Sequence, residues 1–170
     1  MKKILKTLID YSLFEKYDKD YFINNKILPL FENDISIKMA VCKNSKLETI
    51  KNDFNKVISF LEIDELELLF MISHIDQKTL LYSMALKAIS QNSFEKYVDK
   101  FLQELLSFSI NLRASDIHIE QYKDVILFKF RIDGRLKTFF AFYSEFFKLI
   151  SSYIKLISTL DMTQIRLPQD

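Results

Sequence analysis

Glycine is almost absent from this chain of 170 residues, where Gly134 is its only occurrence. Loops that cradle a nucleotide phosphate, of the types G-x-x-x-x-G-K-[ST] and G-x-G-x-x-G, need at least two glycines. The sequence therefore contains neither loop, and it cannot hydrolyse a nucleotide through a P-loop of its own. We expect no catalytic residues and no bound cofactor within these residues.

Cysteine and long uncharged apolar runs are also scarce. The single cysteine, Cys42, cannot form an internal disulfide, and this usage suits a reducing compartment. No uncharged run approaches the roughly 18 residues that a membrane-spanning helix needs. The opening residues, MKKILKTLIDYSLF, carry charges within their apolar part and lack a small-residue cleavage site. We expect a cytoplasmic protein that reaches the inner membrane only through partners.

The chain carries little net charge. Its 24 Lys and Arg residues against 23 Asp and Glu residues leave a formal charge of +1. A chain without a strong positive field is not drawn to nucleic acid, so we expect no direct nucleic-acid partner. The 49% hydrophobic content is enough to build a sizeable core.

The first half of the sequence mixes strand and helix patterns. Apolar residues alternate around Asn33-Asp34, with Ile35, Ile37, Met39 and Val41 in strict alternation, which indicates a hairpin. The run KVISFLEI is typical of a strand. Residues 64–90 have helical spacing, with a predicted bend at residues 74–77.

The second half begins after a short polar linker, SQNSF, at residues 90–94. A helix is predicted over residues 94–112, followed by two alternating strands, a tight Asp133-Gly134 turn into a third strand, and a helix over residues 144–158. The predicted fold class is α+β. We expect two small domains, residues 1–90 and 91–170, each a small sheet of largely antiparallel or mixed strands packed with helices.

Several separated motifs follow residue 112. They are A-S-D-I-H-I-E at 114–120, R-I-D-G at 131–134, I-K at 154–155, L-D at 160–161 and R-x-P-Q-D at 166–170. In this order they resemble the second N-terminal domain of the ATPases that drive type II secretion, type IV pilus assembly and competence pili. The resemblance covers about residues 94–170 and is specific, because several motifs agree. Residues 25–41 are similar in pattern to the small domain that precedes it in that family.

The resemblance implies a fragment, cut at Asp170 one residue before a glycine, with a RecA-like ATPase domain beyond it that binds ATP and Mg²⁺. It implies a hexamer at full length, in which this region contacts its own ATPase domain and neighbouring subunits. It also implies that residues 1–90 dock onto inner-membrane platform proteins of a secretion or pilus machine. Some relatives bind a cyclic dinucleotide through glycine-containing motifs. Residues 1–133 have no glycine, so we expect no cyclic dinucleotide here.

Basic residues of the second domain are the predicted functional residues. In the family, arginines of this domain neutralise the phosphates of a nucleotide held by the ATPase domain. The resemblance implies Arg131 for this role, with Arg135 and Arg166 as weaker candidates. Residues 123–137 hold five basic and two acidic residues, a local positive patch suited to phosphates. The alternative is an ordinary solvated strand face.

Two further groups of residues admit more than one interpretation. Asp116, His118 and Glu120 alternate on one strand face and could ligate a metal, but three positions on one strand rarely converge, so polar contacts at the domain edge are favoured and no metal site is predicted. The residues of two adjacent pairs, Phe139-Phe140 and Phe146-Phe147, cannot both point one way, which predicts an aromatic surface covered by the ATPase domain or a neighbouring subunit.

The residues alone are also compatible with a function of another class. A small α+β domain with an apolar helix could be a stand-alone sensory or adaptor module that binds a small ligand or a partner protein. The motifs do not separate secretion from pilus assembly or DNA uptake. A glycine after Asp170 and a P-loop within about 100 further residues would favour the ATPase over the adaptor.

Overall fold

The computed structural model of the chain describes residues 8–47, 50, 54–91, 94–164 and 167–169, without the Phe94 side chain. Helices and strands alternate along both halves, which confirms the predicted α+β class. The described elements are α1 (Leu13–Lys16), α2 (Lys19–Asn25), β1 (Ile27–Glu32), β2 (Ser36–Val41), β3 (Val57–Glu62), α3 (Glu65–Ile72), α4 (Ile75–Ser90), α5 (Phe94–Asn111), β4 (Asp116–Gln121), β5 (Val125–Ile132), β6 (Arg135–Tyr143) and α6 (Glu145–Ile157).

The first sheet has the strand order β1-β2-β3, with β1 antiparallel and β3 parallel to β2. Asn33 fixes the turn between β1 and β2, because its Oδ1 accepts hydrogen bonds from the main-chain N–H groups of Ile35 (3.0 Å) and Ser36 (2.7 Å). Ile37 and Met39 are buried as the alternation predicts. Ile35 instead lies in the turn and is 74% exposed, so the inward-facing residues begin at Ile37 and not at Ile35.

Helices α3 and α4 meet at the bend that the sequence predicts. Asp64 caps α3 by accepting hydrogen bonds from the N–H groups of Leu66 and Glu67, as an N-cap aspartate does. Helix α3 ends at its C-cap, Ser73, and the next residue, His74, has a left-handed φ of 56°. This left-handed residue redirects the chain into α4.

Lys78 of α4 is fully buried, with 0% relative exposure. Its Nζ donates hydrogen bonds of 2.9 Å to the main-chain carbonyls of Phe70 and Met71, near the end of α3. Helix ends leave carbonyl groups without partners in the helix, so the lysine supplies the donors they lack. Lys78 thereby ties α4 to α3.

The second sheet is antiparallel in the order β4-β5-β6. Asp133 (φ 50°) and Gly134 (φ 73°) both have positive φ, as the two central residues of a type I′ hairpin turn require. Glycine adopts this conformation without steric cost, which explains the position of the one glycine. The inward face of β5 carries Ile126, Phe128 and Phe130, all buried.

A β-bulge in β6 overturns the expectation for the adjacent phenylalanines. Phe128 pairs with Phe140 and Lys129 pairs with Thr138, so Phe139 is an extra residue without a partner on β5. The bulge lets both Phe139 (2% exposed) and Phe140 (1%) enter the core. The predicted aromatic surface at this pair is therefore wrong, because the prediction assumed a regular strand.

The two long helices of the second half are amphipathic. In α5, Val98, Phe101 and Leu105 are buried at helical spacing, whereas Lys100 and Glu104 are exposed. In α6, Phe146 and Ile150 are buried in the same way. Nowhere in the described ranges is a helix both long and apolar enough to cross a membrane.

Aromatic contacts join the two sheets across one continuous buried cluster. The Tyr11 ring stacks on Phe140 with centroids 5.5 Å apart, and Tyr82 of α4 packs edge-on against Phe142 at 5.2 Å. Residues on the N-terminal side of the predicted boundary at residue 90 thus pack directly onto β6. The division into residues 1–90 and 91–170 stays a prediction.

Candidate functional site

The outward face of β4 and β5 carries a group of five charged or ionisable side chains, here called the charged face. Its members are Asp116, His118, Glu120, Lys129 and Arg131. The β-ladder sets Asp116 opposite Arg131 and His118 opposite Lys129. Directly opposed residues of an antiparallel pair project to the same side, so these side chains meet above the sheet.

Arg131 is held by the neighbouring strand. Its Nε lies 3.0 Å from Oδ2 and 3.3 Å from Oδ1 of Asp116, and its Nη2 lies 3.3 Å from Nε2 of His118. The side chain stays 38% exposed. Among the residues that the structure describes, Nη1 makes no hydrogen bond. The guanidinium is therefore oriented by the protein and keeps donor capacity toward solvent.

His118 stands between an acceptor and a donor. Its Nε2 is within hydrogen-bond reach of Asp116 Oδ1 as well as Arg131 Nη2. One ring nitrogen cannot donate to the carboxylate and accept from the guanidinium in the same state. A protonated Nε2 donates to Asp116, and an unprotonated Nε2 accepts from Arg131. The imidazole thus stabilises the Asp116–Arg131 pair in either tautomer.

Asp116 stays ionised over a wide pH range. A 2.7 Å hydrogen bond from the Ser115 hydroxyl, the contact with His118 and the charge of Arg131 together lower the pKa of Asp116, against the opposing effect of partial burial. The main chain adds a further fixed point, because Ser115 N–H donates a 2.9 Å hydrogen bond to the Arg131 carbonyl. The start of β4 is therefore bound closely to the end of β5.

A second ion pair lies along the same face. Lys129 Nζ lies 2.5 Å from Glu120 Oε2, and the Tyr122 hydroxyl donates a 2.9 Å hydrogen bond to the same oxygen. The hydrogen bond from Lys129 is the main cause of the lowered pKa of Glu120. The Lys129 ammonium also lies 6.0 Å from the centroid of the Tyr122 ring.

The charges of this face balance. Asp116 and Glu120 carry two negative charges against the two positive charges of Lys129 and Arg131. The positive patch predicted from residues 123–137 is therefore partly neutralised by β4, which the linear count did not include. The acceptor oxygens of both carboxylates point at cations of the protein, and the described residues hold no group of three or more acidic, His or Cys side chains placed to bind a metal.

The other two predicted arginines lie elsewhere. Arg135 pairs with Ile132 across the hairpin, so it projects to the side opposite Arg131, where it is exposed. Leu136 is the residue that faces the same side as Arg131. Arg166 lies outside the described residues. The structure thus places Arg131 and Arg135 on opposite sides of the sheet.

The segment after α6 contains a contact that sequence reasoning missed. Gln169 folds back on Asp161, where its Oε1 accepts a hydrogen bond from the Asp161 N–H (2.7 Å) and its Nε2 donates to the Asp161 carbonyl (3.1 Å). Lys155 of α6 donates a hydrogen bond to the main-chain carbonyl of Gln164 in the same segment. Asp161, Lys155 and Gln169 all belong to the motifs quoted above. The spacing of those motifs was therefore the sequence signal that could have predicted these contacts. These bonds fix the loop against the helix.

Comparison with known proteins identifies the second half of the chain. Residues 90–170 match the family described as Type II/IV secretion system protein. The resemblance predicted from the motifs is confirmed, and the charged face lies wholly within the matched residues.

Three relatives show the extent of the likeness. The segment is 38% identical over 71 residues to type II secretion system protein E of Aeromonas hydrophila and 40% identical over 73 residues to a putative type II secretion system protein E of Escherichia coli strain K12. It is 37% identical over 73 residues to the type IV pilus assembly ATPase PilB of Myxococcus xanthus. The alignments cover 42%, 43% and 43% of this chain but only 14%, 15% and 13% of the relatives. The chain thus matches a small part of much longer proteins.

Proposed function

We propose that this chain is the N-terminal, regulatory and partner-docking part of an ATPase that powers type II secretion or type IV pilus assembly. The observation that carries the proposal is the family match of residues 90–170, whose relatives include a protein named as a pilus assembly ATPase. With one glycine, the chain itself offers no P-loop for ATP. ATP and Mg²⁺ would bind to a separate ATPase domain of the complete protein, assembled as a hexamer.

Arg131 is the residue proposed to act on the nucleotide. A guanidinium that contacts phosphate oxygens stabilises negative charge that develops during phosphoryl transfer. Support comes from the orientation of Arg131 by Asp116 and His118 and from its partial exposure. The carboxylate of Asp116 limits the net positive charge, so the contribution of Arg131 would come from a directed hydrogen bond rather than from a general positive field.

The first half is proposed to dock the protein onto its machine. Residues 1–90 would bind the cytoplasmic part of an inner-membrane platform protein and so hold a cytoplasmic ATPase at the membrane. The direct packing of Tyr11 and Tyr82 onto β6 supports a mechanical link between such a docking surface and the charged face. Movement of the docking surface would displace the charged face through this shared core.

Steady-state ATP hydrolysis by the complete protein tests the role of Arg131. Arg131→Ala should lower kcat by roughly tenfold to a hundredfold, because one directed donor to the transferring phosphate is lost. Lys100→Ala is the matched control, since Lys100 is an exposed cation on α5, and it should leave kcat unchanged. Wild-type turnover by the Arg131→Ala enzyme would remove this assignment.

Calorimetric titration of the 170-residue chain with the cytoplasmic part of the platform protein tests docking. The intact chain should bind, because the first sheet and its helices are all present. Deletion of residues 1–90 is a poor test, since it would expose the Phe140 and Phe142 surface to water. Failure of the intact, folded chain to bind would contradict the docking role.

A further inference from the structure

His118 is the member of the charged face whose charge changes near neutral pH. Histidine side chains ordinarily gain or lose a proton between about pH 5 and pH 8, whereas lysine and arginine side chains stay protonated throughout that range. Asp116 and Glu120 each have a pKa below the ordinary carboxyl value, so both stay ionised there. The charges of the other four members cancel, so protonation of His118 turns a neutral face into a positive one.

No titratable group from another described element offsets this change. The ionisable side chains that face His118 are the members of the charged face on β4 and β5. On β6, the residues that project to the same side are Leu136 and Thr138, which do not titrate. Helix α5 packs on the inward side of the sheet, where Phe101 contacts Phe128. The net charge of the outward side therefore follows the protonation of one imidazole.

The imidazole lies where a phosphate at Arg131 would experience its charge. Nε2 of His118 is 3.3 Å from Nη2 of Arg131, and the two side chains are 39% and 38% exposed. The charge of His118 also acts along the face. The hydrogen bond from Lys129 is the largest effect that lowers the pKa of Glu120, and the charge of a protonated His118 lowers it further. An anion on the exposed edge of the guanidinium is therefore close to both cations.

We propose that protonated His118 supplies the net positive charge that strengthens the contact between Arg131 and the nucleotide phosphates, so that nucleotide binding takes up a proton. This inference rests on the nucleotide role of Arg131 proposed above. The proton comes from the solvent and bonds to the unprotonated ring nitrogen of His118, and no bond of the nucleotide breaks. Coupling of this kind is reciprocal, because a proton that strengthens phosphate binding is itself held more tightly once the phosphate is bound.

The size of the effect follows from one added charge beside a solvated anion. At a separation of about 6 Å, one positive charge and a terminal phosphate of about two negative charges attract each other enough to tighten binding by about threefold to tenfold. Dissolved salt screens exposed charges, so the gain should shrink as ionic strength rises. Arg131 would still direct the contact, and His118 would set its strength.

Calorimetric binding of a non-hydrolysable ATP analogue with Mg²⁺ to the complete protein tests the proposal. Titrations in two buffers of different ionisation enthalpy give the number of protons taken up per nucleotide. At pH 7 the wild type should take up about 0.3–0.5 proton more than His118→Gln, whose amide keeps the hydrogen-bonding groups but cannot be charged. The affinity ratio of wild type to His118→Gln should rise from about one at pH 8.5 to about threefold to tenfold at pH 6. Ionisation of the nucleotide itself cancels in this ratio.

The other histidine provides the matched control. The chain has two histidines, and the ring of His74 packs against Phe108 rather than on the charged face. His74→Gln should therefore match the wild type in proton uptake and in the pH dependence of affinity. A loss of proton uptake in His74→Gln equal to that in His118→Gln would contradict the assignment.

A permanent cation at the same position supplies a second arm. His118→Arg should bind the analogue at pH 8 about threefold to tenfold more tightly than the wild type does, without proton uptake at this position. Wild-type proton uptake by His118→Gln, or no gain in His118→Arg, would overturn the inference, and His118→Arg decides if His118→Gln does not fold. Impaired turnover in Arg131→Ala together with wild-type uptake in His118→Gln would remove this inference alone, whereas wild-type turnover in Arg131→Ala would remove the nucleotide role itself.

Discussion

The ammonium group of Lys78 donates a 2.9 Å hydrogen bond to the main-chain carbonyl of Met71, and no carboxylate neutralises it within the described part of the chain. Its other close neighbours are the Phe70 carbonyl at 2.9 Å and the rings of Phe70 and Phe139, with centroids at 5.4 Å and 5.0 Å. Burial lowers the pKa of Lys78 to about 7. A buried lysine that loses its proton near pH 7 thus joins two helices to the second sheet.

Lys78 should make the stability of the protein depend on pH above neutrality. The pKa of Lys78 falls from 10.5 in the unfolded chain to about 7 in the folded chain, so the unfolded state binds more protons between these values. The free energy of unfolding should therefore rise with pH, by about 2 kcal/mol between about pH 7 and pH 9. Urea unfolding at both pH values measures this change. Lys78→Met, which removes the titrating group, should abolish the rise, and an equal rise in the variant would contradict the assignment.

Glu32 should contribute stability that is lost in acid. Burial acts to raise the pKa of Glu32, but hydrogen bonds from Lys16 (2.5 Å), Tyr17 and Lys56 (2.9 Å) outweigh it and lower the pKa to about 2. The stability from this lowered pKa is fully present above pH 4.5 and disappears as the pH falls through about 2. Glu32→Gln should lower the free energy of unfolding by roughly 2–3 kcal/mol at neutral pH.

Chemical unfolding as a function of pH checks the Glu32 prediction. The difference between Glu32→Gln and the wild type should shrink as the pH approaches 2, because the wild-type carboxylate is then protonated as well. Glu104→Gln on the exposed side of α5 serves as the control and should differ little from wild type at any pH. A constant difference across the acid range would show that the ion pairs do not carry the effect.

Tyr11 should tolerate, or gain from, loss of its hydroxyl. The ring is fully buried, and its hydroxyl has no hydrogen-bond partner among the described residues. A buried polar group without a partner costs about 1–3 kcal/mol. Tyr11→Phe should therefore leave the free energy of unfolding unchanged or raise it by about 1 kcal/mol. Thermal unfolding measures the change, and Tyr11→Ala, which also removes the ring that stacks on Phe140, should lower stability by roughly 3–5 kcal/mol.

Asp116 should control the orientation of Arg131. Asp116→Asn removes the charge that accepts from Arg131 Nε, so the Nε–H proton of Arg131 should exchange with water at least about tenfold faster. Asp124→Asn, an exposed acidic residue in the β4–β5 turn, is the control and should leave the signal unchanged. Because the pKa of Asp116 is lowered below its ordinary value of 3.8, protection of this proton in the wild type should persist as the pH falls through that value. Loss of protection already above pH 4 would contradict the pairing.

Local sequence signals predicted the parts of the fold that depend on neighbouring residues. The Asp133-Gly134 turn follows from the need for two positive φ angles, and the bend near His74 follows from a break in helical spacing. The alternation of Ile126, Phe128 and Phe130 gives the inward face of β5 directly.

Features that depend on distant contacts were not predictable in the same way. The burial of Lys78 needs the end of α3 and the Phe139 ring to meet, and no local pattern encodes that meeting. The pairing of Asp116 with Arg131 depends on the register across the β4–β5 turn, which the alternation of each strand leaves open. The sequence therefore predicted the residues of the charged face but not which of them neutralise one another.

The extra residue at Phe139 puts the two halves of β6 out of phase. After the bulge, even-numbered residues such as Phe140 and Phe142 face the core, whereas before it the odd-numbered residues take that side. The register next to the turn places Arg131 on the outward side and Arg135 and Lys137 on the core side. In a regular strand whose even-numbered residues all faced the core, Leu136 would lie on the core side and Arg135 would lie on the outward side with Arg131. The unpaired residue thus allows Phe140 and Phe142 to face the core while Arg135 stays on the side opposite Arg131.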